Sequence, residues 1–177
     1  MREQNYTTRF ALMRHATTTW NQKKLIQGWL DSPLAPEGEE QARQWGRVLS
    51  RYTWNRILVS SKGRALQTAG IINDFLELPC ERESRLVEQG WGEWQGRSLK
   101  DVREKDTRRF EEQIDRGWYF CPPGGESRRE VRERASMALI EAAGRYPGDR
   151  ILVVAHMGII MFLVMWLEGI DYNPDRT

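Results

Sequence analysis

The sequence predicts an α/β fold of three layers, a mainly parallel central sheet with helices on both faces, and three observations carry that prediction. Residues 10–13, 57–59 and 151–155 are short apolar runs, the last rich in β-branched side chains, and each has the length of a buried strand. A helical pattern follows all three, and strands joined through helices run parallel. At 177 residues and 40% hydrophobic content, the chain has the size of one domain, 1–177, able to bury such a core.

The elements follow in order. Behind the first strand, Pro36, Glu37, Glu39 and Glu40 suit a helix start, where free amides and the dipole favour acids. Ala42, Trp45, Leu49 and Tyr52 then recur at spacings of three and four as its apolar stripe. After the second strand, Ala65, Ala69, Ile72 and Leu76 line one face of a helix over Gly63–Leu76. Residues 101–116 carry eleven charges in sixteen positions, with only Val102, Phe110 and Ile114 apolar, which reads most simply as one solvated helix. Residues 118–127, containing Pro-Pro-Gly-Gly, read as an ordered loop. Ser127 and Glu130 have capping-box spacing ahead of a helix over Arg128–Arg145, striped by Val131, Ala135, Ala138, Leu139 and Ala142. Residues 151–167 are apolar, but short for a membrane span and interrupted by His156 and Gly158, so they read as a buried strand followed by a buried helix.

Composition excludes several function classes. Twenty-seven Lys and Arg against 25 Asp and Glu leave a net charge of +2, without the global field of a nucleic-acid or polyanion binder. A small anionic substrate needs only a local cluster. Cys80 and Cys121 cannot supply a disulfide framework and no signal-peptide pattern opens the chain, so a cytoplasmic location is expected, with no membrane partner. Two His and two Cys, far apart in sequence, argue against a protein-built zinc site.

In parallel sheets ligands collect beyond the carboxyl ends of the strands. Both histidines sit there: Arg14 and His15 close the first strand, and His156 closes the last. A lone histidine beside apolar sequence is more often a packed residue, but two in equivalent places, one with an adjacent arginine, shift the balance toward chemistry. At the end of the second strand, Ser61 reads as a helix cap. Arg64 stands in the first helical turn, where a cation opposes the dipole and calls for an anion nearby. Free helix amides with Arg14 and Arg64 would form an anion pocket suited to a phosphoryl group.

Taken together, residues 12–21 (LMRHATTTWN) resemble the N-terminal signature of the histidine phosphatase superfamily, the phosphoglycerate-mutase-like proteins. Residues 25–34 (LIQGWLDSPL), 60–69 (SSKGRALQTA), 88–96 (EQGWGEWQG), 123–127 (PGGES) and 154–158 (VAHMG) are similar to that family's later motifs in the same order. The resemblance implies the phosphoglycerate-mutase-like fold, His15 as nucleophile through a neutral imidazole, and no cofactor or metal. It implies that Arg14, Arg64, Asn21 and His156 bind the phosphoryl oxygens, and that Glu88 is the acid and then the base. Position alone does not separate Glu88 from Glu93 or Glu126, although Trp91 and Trp94 offer an apolar surround that would raise a carboxyl pKa. Gln27 and Gly28 fall in the substrate-side loop.

Four departures accompany the resemblance. Ala16 stands where the family usually has Gly, and Thr17 where Glu or Gln is common, which would change a polar contact at the pocket rim. Met157 stands where Gly is usual; its amide would still donate to phosphate while its side chain would narrow the pocket. The family usually continues past the position of Asp175 to Thr177 into a segment with a strand, so the sequence is either truncated or closes its sheet edge differently.

The function expected is a metal-independent phosphatase acting on a small phosphorylated metabolite through a phosphohistidine, with oligomeric state left open. A cofactor-dependent phosphoglycerate mutase and a non-catalytic phospholigand- or protein-binding relative are the alternatives. Only 36 positions separate Glu88 from Gly124, short for a mutase, and Gln27 and Trp94 are phosphatase-like, whereas Gln95 is mutase-like and Lys100 is available as a substrate cation. Residues 101–127 are expected to set leaving-group preference, with residues 27–31 the next candidate.

Overall fold

The computed structural model describes residues 7–170. Four parallel strands, β1 (Arg9–Arg14), β2 (Arg56–Ser60), β3 (Cys80–Glu83) and β4 (Arg150–Ala155), form one sheet in the order β1-β4-β2-β3. Among the described residues seven α-helices accompany them: α1 (Thr19–Gln22), α2 (Pro36–Leu49), α3 (Gly63–Leu76), α4 (Leu99–Lys105), α5 (Thr107–Ile114), α6 (Arg128–Arg145) and α7 (Met157–Leu167). Side chains alternate across a strand, and the two faces of the sheet therefore collect different residues. Ile151, Val153 and Ala155 pack with Val131, Ala135 and Leu139 of α6 and Ile159, Phe162 and Leu163 of α7. Leu152 and Val154 face the other way, onto Ala65, Ala69 and Ile72 of α3 and Trp45 of α2. The three layers are thus as predicted, and α3 and α6 have the predicted bounds.

Register positions the chemistry. Arg14 pairs with Ala155, and the His15 amide donates to the Ala155 carbonyl at 2.9 Å. The residues that follow β1 and β4, His15 and His156, therefore emerge side by side at the carboxyl edge of the sheet.

Several expectations need correction. β3 went unrecognised because Cys-Glu-Arg-Glu contains no apolar run; among the described residues it is an edge strand paired only with β2. α2 stops at Leu49, and Tyr52 is 63% exposed rather than part of the stripe. The Leu49 carbonyl accepts from the Tyr52 amide and from the Trp54 indole, each at 3.0 Å, which closes the helix end. Residues 101–116 are two helices, not one, and α4 already starts at Leu99 behind the Ser98 cap. The break falls at Asp106, whose carboxylate accepts the Trp94 indole proton at 2.7 Å. That tie turns the chain so that Val102 and Phe110 bury against Trp94 and Phe120 in a small second core, and the charges cover its outside. α7 is only partly buried: Ile159, Phe162 and Leu163 face the core while Val164, Trp166 and Leu167 are exposed. Among the described residues no helix is long and apolar enough to cross a membrane. The C-terminal departure at Asp175 to Thr177 lies outside the described residues.

Candidate active site

A cavity of about 240 Å³ opens at the carboxyl edge of the sheet. One pole is polar, with Arg14 and His15 from the end of β1, Arg64 from α3 and Glu88 from the loop after β3. The opposite wall is Leu25, Ile26, Trp91 and Leu99, joined by Asn21, Gln27 and Gly28. His156 lies against this pole, fully buried, with its ring centroid 5.2 Å from that of His15. The predicted residues Arg14, His15, Asn21, Gln27, Gly28, Arg64, Glu88 and His156 therefore converge.

His15 Nδ1 lies 2.8 Å from the Ala16 carbonyl, an acceptor only, so Nδ1 carries the proton and the Nε2 lone pair is free. Burial, opposed by that hydrogen bond and aided by the charges of Arg64 and Arg14, pushes His15 down to about 3. His156 is likewise held well below the usual histidine range, first by burial and then by Arg64 and His15. Both rings are neutral at neutral pH. The Ala16 amide donates to Thr68 Oγ1 at 3.0 Å, which fixes the turn that aims His15.

The anion that Arg64 calls for is supplied in part by the protein itself. Asp31 accepts from Arg64 Nη1 at 3.1 Å and from the amides of Gly63 and Arg64, so the helix amides expected to be free for phosphate are taken. The expected Ser61 cap is replaced by this carboxylate, because Lys62 is the N-cap and makes no side-chain cap bond. Two further Arg64 donors reach the Leu30 carbonyl at 2.8 Å and the Gly28 carbonyl at 3.0 Å. Arg64 Nε is buried and unpartnered, and His156 Nδ1 is the other buried side-chain nitrogen or oxygen without a partner among the described residues. Two orphaned nitrogens against one cavity fit an anionic ligand, since buried polar groups are otherwise satisfied. Sequence reasoning did not assign roles to Asp31 or to Ser60, whose hydroxyl lies 2.7 Å from His156 Nε2. The signal for Asp31 was present in the opposed dipole at Arg64.

Geometry separates the three glutamates. Glu93 pairs with Arg109 at 2.9 Å and Glu126 with Arg134 at 2.7 Å, both away from the cavity lining. Glu88 faces the cavity, its oxygens accepting from the amides of Gln89 at 2.9 Å and Gly158 at 3.3 Å. Burial raises its pKa, and the two amides and the arginines oppose the rise without cancelling it. Gly158 is required here: a β-carbon at that position would sit 2.5 Å from Glu88 Oε1. Gly28, at φ +52, is required in the wall, where a β-carbon would strike the Gln95 side chain.

The wall corrects three further expectations. Met157 is half exposed and absent from the cavity lining, so its side chain does not narrow the pocket. Thr17 turns to Gln41 of α2 at 3.3 Å and leaves the rim. No residue of the 101–127 segment lines the cavity; it stands behind the wall, supporting Trp91 through Phe120. Gln27 is pinned at both ends, donating to Thr18 at 3.0 Å and accepting from Ser32 at 3.0 Å. Lys100 points to solvent and pairs with Glu104 at 3.7 Å. Among the described residues no three His, Cys, Asp or Glu side chains converge as a metal site would need.

Comparison with known proteins gives a consistent result. The family model of the histidine phosphatase superfamily (branch 1) matches residues 10–176. A Bacillus subtilis (strain 168) protein described as an uncharacterized phosphatase, PhoE, is 33% identical over 170 residues, covering 96% of this chain and 82% of that one. A 2,3-bisphosphoglycerate-dependent phosphoglycerate mutase from Bradyrhizobium sp. (strain BTAi1) is 34% identical over 167 residues, covering 89% and 79%. The solved structure of Bacillus stearothermophilus YhfR superposes with a TM-score of 0.86 at 30% identity, covering 94% of this chain and 82% of that chain.

Proposed function

This chain belongs to the histidine phosphatase superfamily, and we propose that within it the protein is a phosphatase hydrolysing a small phosphomonoester through a phosphohistidine on His15. The observation that carries the reading is the tautomer of His15: its Nδ1 proton is committed to the Ala16 carbonyl, so a neutral Nε2 lone pair faces a cavity that also holds Arg14, Arg64 and Glu88.

Each step uses a group at that pole. His15 Nε2 attacks phosphorus as the bond to the leaving oxygen breaks, and Glu88, protonated because burial raises its pKa, gives that oxygen its proton. Arg14, Arg64 Nε, Asn21 and His156 donate to the phosphoryl oxygens and take up transition-state charge. The Met157 amide, at the start of α7, adds a backbone donor. Glu88, now a carboxylate, takes a proton from water as its oxygen attacks phosphorus; the phosphorus–nitrogen bond breaks and inorganic phosphate leaves. No metal ion takes part in this scheme.

Water is favoured over a second phosphoglycerate as acceptor by the charge of the cavity. Arg14 and Arg64 are the cations in its lining, and Arg64 already spends three of its donors on Asp31, Leu30 and Gly28. A substrate carboxylate beside the phosphate would find no further cation among the described residues, since Lys100 is turned away. The decisive assay measures inorganic phosphate released from nitrophenyl phosphate and from aliphatic phosphomonoesters, with chelator and without bisphosphoglycerate. Turnover is expected in both. Efficient interconversion of 2- and 3-phosphoglycerate that depends on the bisphosphate would move the protein to the mutases, and pure folded protein inert to a broad panel would make it a binding relative.

A further inference from the structure

The scheme above uses His156 as a donor to the phosphoryl group, which requires its ring proton on Nδ1, the unpartnered nitrogen. In water a neutral histidine side chain favours the other tautomer, so something in the fold must select this one. The group bonded to one ring nitrogen decides which nitrogen carries the proton.

That group is Ser60, the last residue of β2, fully buried with its Oγ 2.7 Å from His156 Nε2. The Lys62 amide donates to the same oxygen at 3.4 Å. Were the proton on Nε2, Ser60 Oγ would receive two donors, and its own hydroxyl proton would have no acceptor among the described residues. His156 Nδ1 would meanwhile present a lone pair toward a pole already carrying Arg14 and Arg64, where it could accept but not help bind an anion. With the proton on Nδ1, Ser60 donates to Nε2 and accepts from Lys62, and a phosphoryl oxygen completes the set.

We propose that Ser60 is a positioning residue: its hydroxyl donates to His156 Nε2 and thereby holds His156 as an Nδ1–H donor for the phosphoryl group. The identity of the acceptor rests on the phosphatase reading; the tautomer itself does not. The chain has only two histidines, so ¹⁵N-labelled histidine gives two ring systems, which His156→Gln assigns. In the ligand-free protein at neutral pH, His156 is expected protonated at Nδ1, and titration with inorganic phosphate is expected to shift that nitrogen. Ser60→Ala should populate the Nε2–H tautomer and lower kcat/KM roughly 10- to 100-fold, the scale on which partners that orient a functional histidine act. Unchanged His15 ring signals would show that the variant's site is otherwise intact. An Nε2–H tautomer in the wild type, or a folded Ser60→Ala that keeps Nδ1–H and its phosphate affinity, overturns the proposal. An Nδ1–H protein that binds phosphate yet turns over no phosphomonoester removes the phosphatase reading and leaves the assignment of Ser60 standing.

Discussion

The two sides of the cavity are built on different principles. At the phosphoryl pole, His15 and His156 follow directly from neighbouring strands in register, and Arg64 is set by the first turn of α3 and the Asp31 carboxylate. The wall opposite comes mostly from loops stitched together by side chains. Gln95 accepts from the Trp29 amide at 2.6 Å, Lys62 donates to the Trp29 carbonyl at 2.5 Å, and Gln89 donates to the Glu126 carbonyl at 2.7 Å. A pole fixed by the sheet serves every substrate alike. A wall made of loops can change without disturbing it, so chemistry and preference should be separable by mutation.

The largest effect should come from the centre of the pole. His15→Ala removes the covalent route, and turnover of every phosphomonoester should fall by roughly 10⁴-fold or more. Wild-type enzyme quenched during turnover should carry acid-labile, base-stable phosphate on His15. Label that survives acid, or label on a serine, would dissolve the distinction drawn here, because the nucleophile would then lie elsewhere.

Glu88 belongs to the pole but is carried by a loop, and its variant sharpens the comparison. Glu88→Gln should lower kcat by roughly 10²- to 10⁴-fold for alkyl phosphates, the range of general acid catalysis, and far less for nitrophenyl phosphate, whose leaving group needs little protonation. The pH dependence has a definite sign. Burial raises the Glu88 pKa, so the acid form survives to higher pH than an ordinary carboxyl, and turnover of alkyl phosphates should fall as pH rises through that value. Nitrophenyl phosphate should show a weaker alkaline fall on its first step. Equal losses for good and poor leaving groups would make Glu88 a structural residue.

The same division decides what was legible in the sequence. Apolar runs announce strands, so β1, β2 and β4 could be read, and with them the places of His15 and His156; β2 and β4 are buried as expected, whereas β1, at an edge of the described sheet, is only partly buried. Helices α3 and α6 carried a periodic stripe, and in α6 a capping box, and their approximate spans could be read from it. β3 has no apolar run, and the break at Asp106 depends on an indole twelve residues earlier in the chain, a tertiary contact that no local pattern encodes. The role of Arg64 was half legible: the opposed dipole called for an anion, but the sequence did not show that Asp31 would occupy the helix amides. Glu88 was chosen by resemblance alone, and only the geometry explains the choice, since its two rivals are each spent on an arginine.

The smallest effect tests the wall. Residues 101–127 do not reach the cavity, and Leu99 at the start of α4 does, with 37% of its surface exposed, so its truncation should cost little stability. A lost apolar contact in a binding pocket changes discrimination by about 10-fold or somewhat more. Leu99→Ala should therefore lower kcat/KM for phosphomonoesters with a bulky apolar leaving group by roughly that factor, while glycerol phosphate, too small and polar to use the contact, stays close to wild type. Substitution of exposed charges at Arg108 and Glu112, which pair with each other at 3.4 Å on the outer side of α5, should leave the ranking unchanged. A reversed outcome, with Leu99 silent and the outer charges changing the ranking, would mean that the segment behind the wall folds over the mouth when substrate binds and that preference is set there after all.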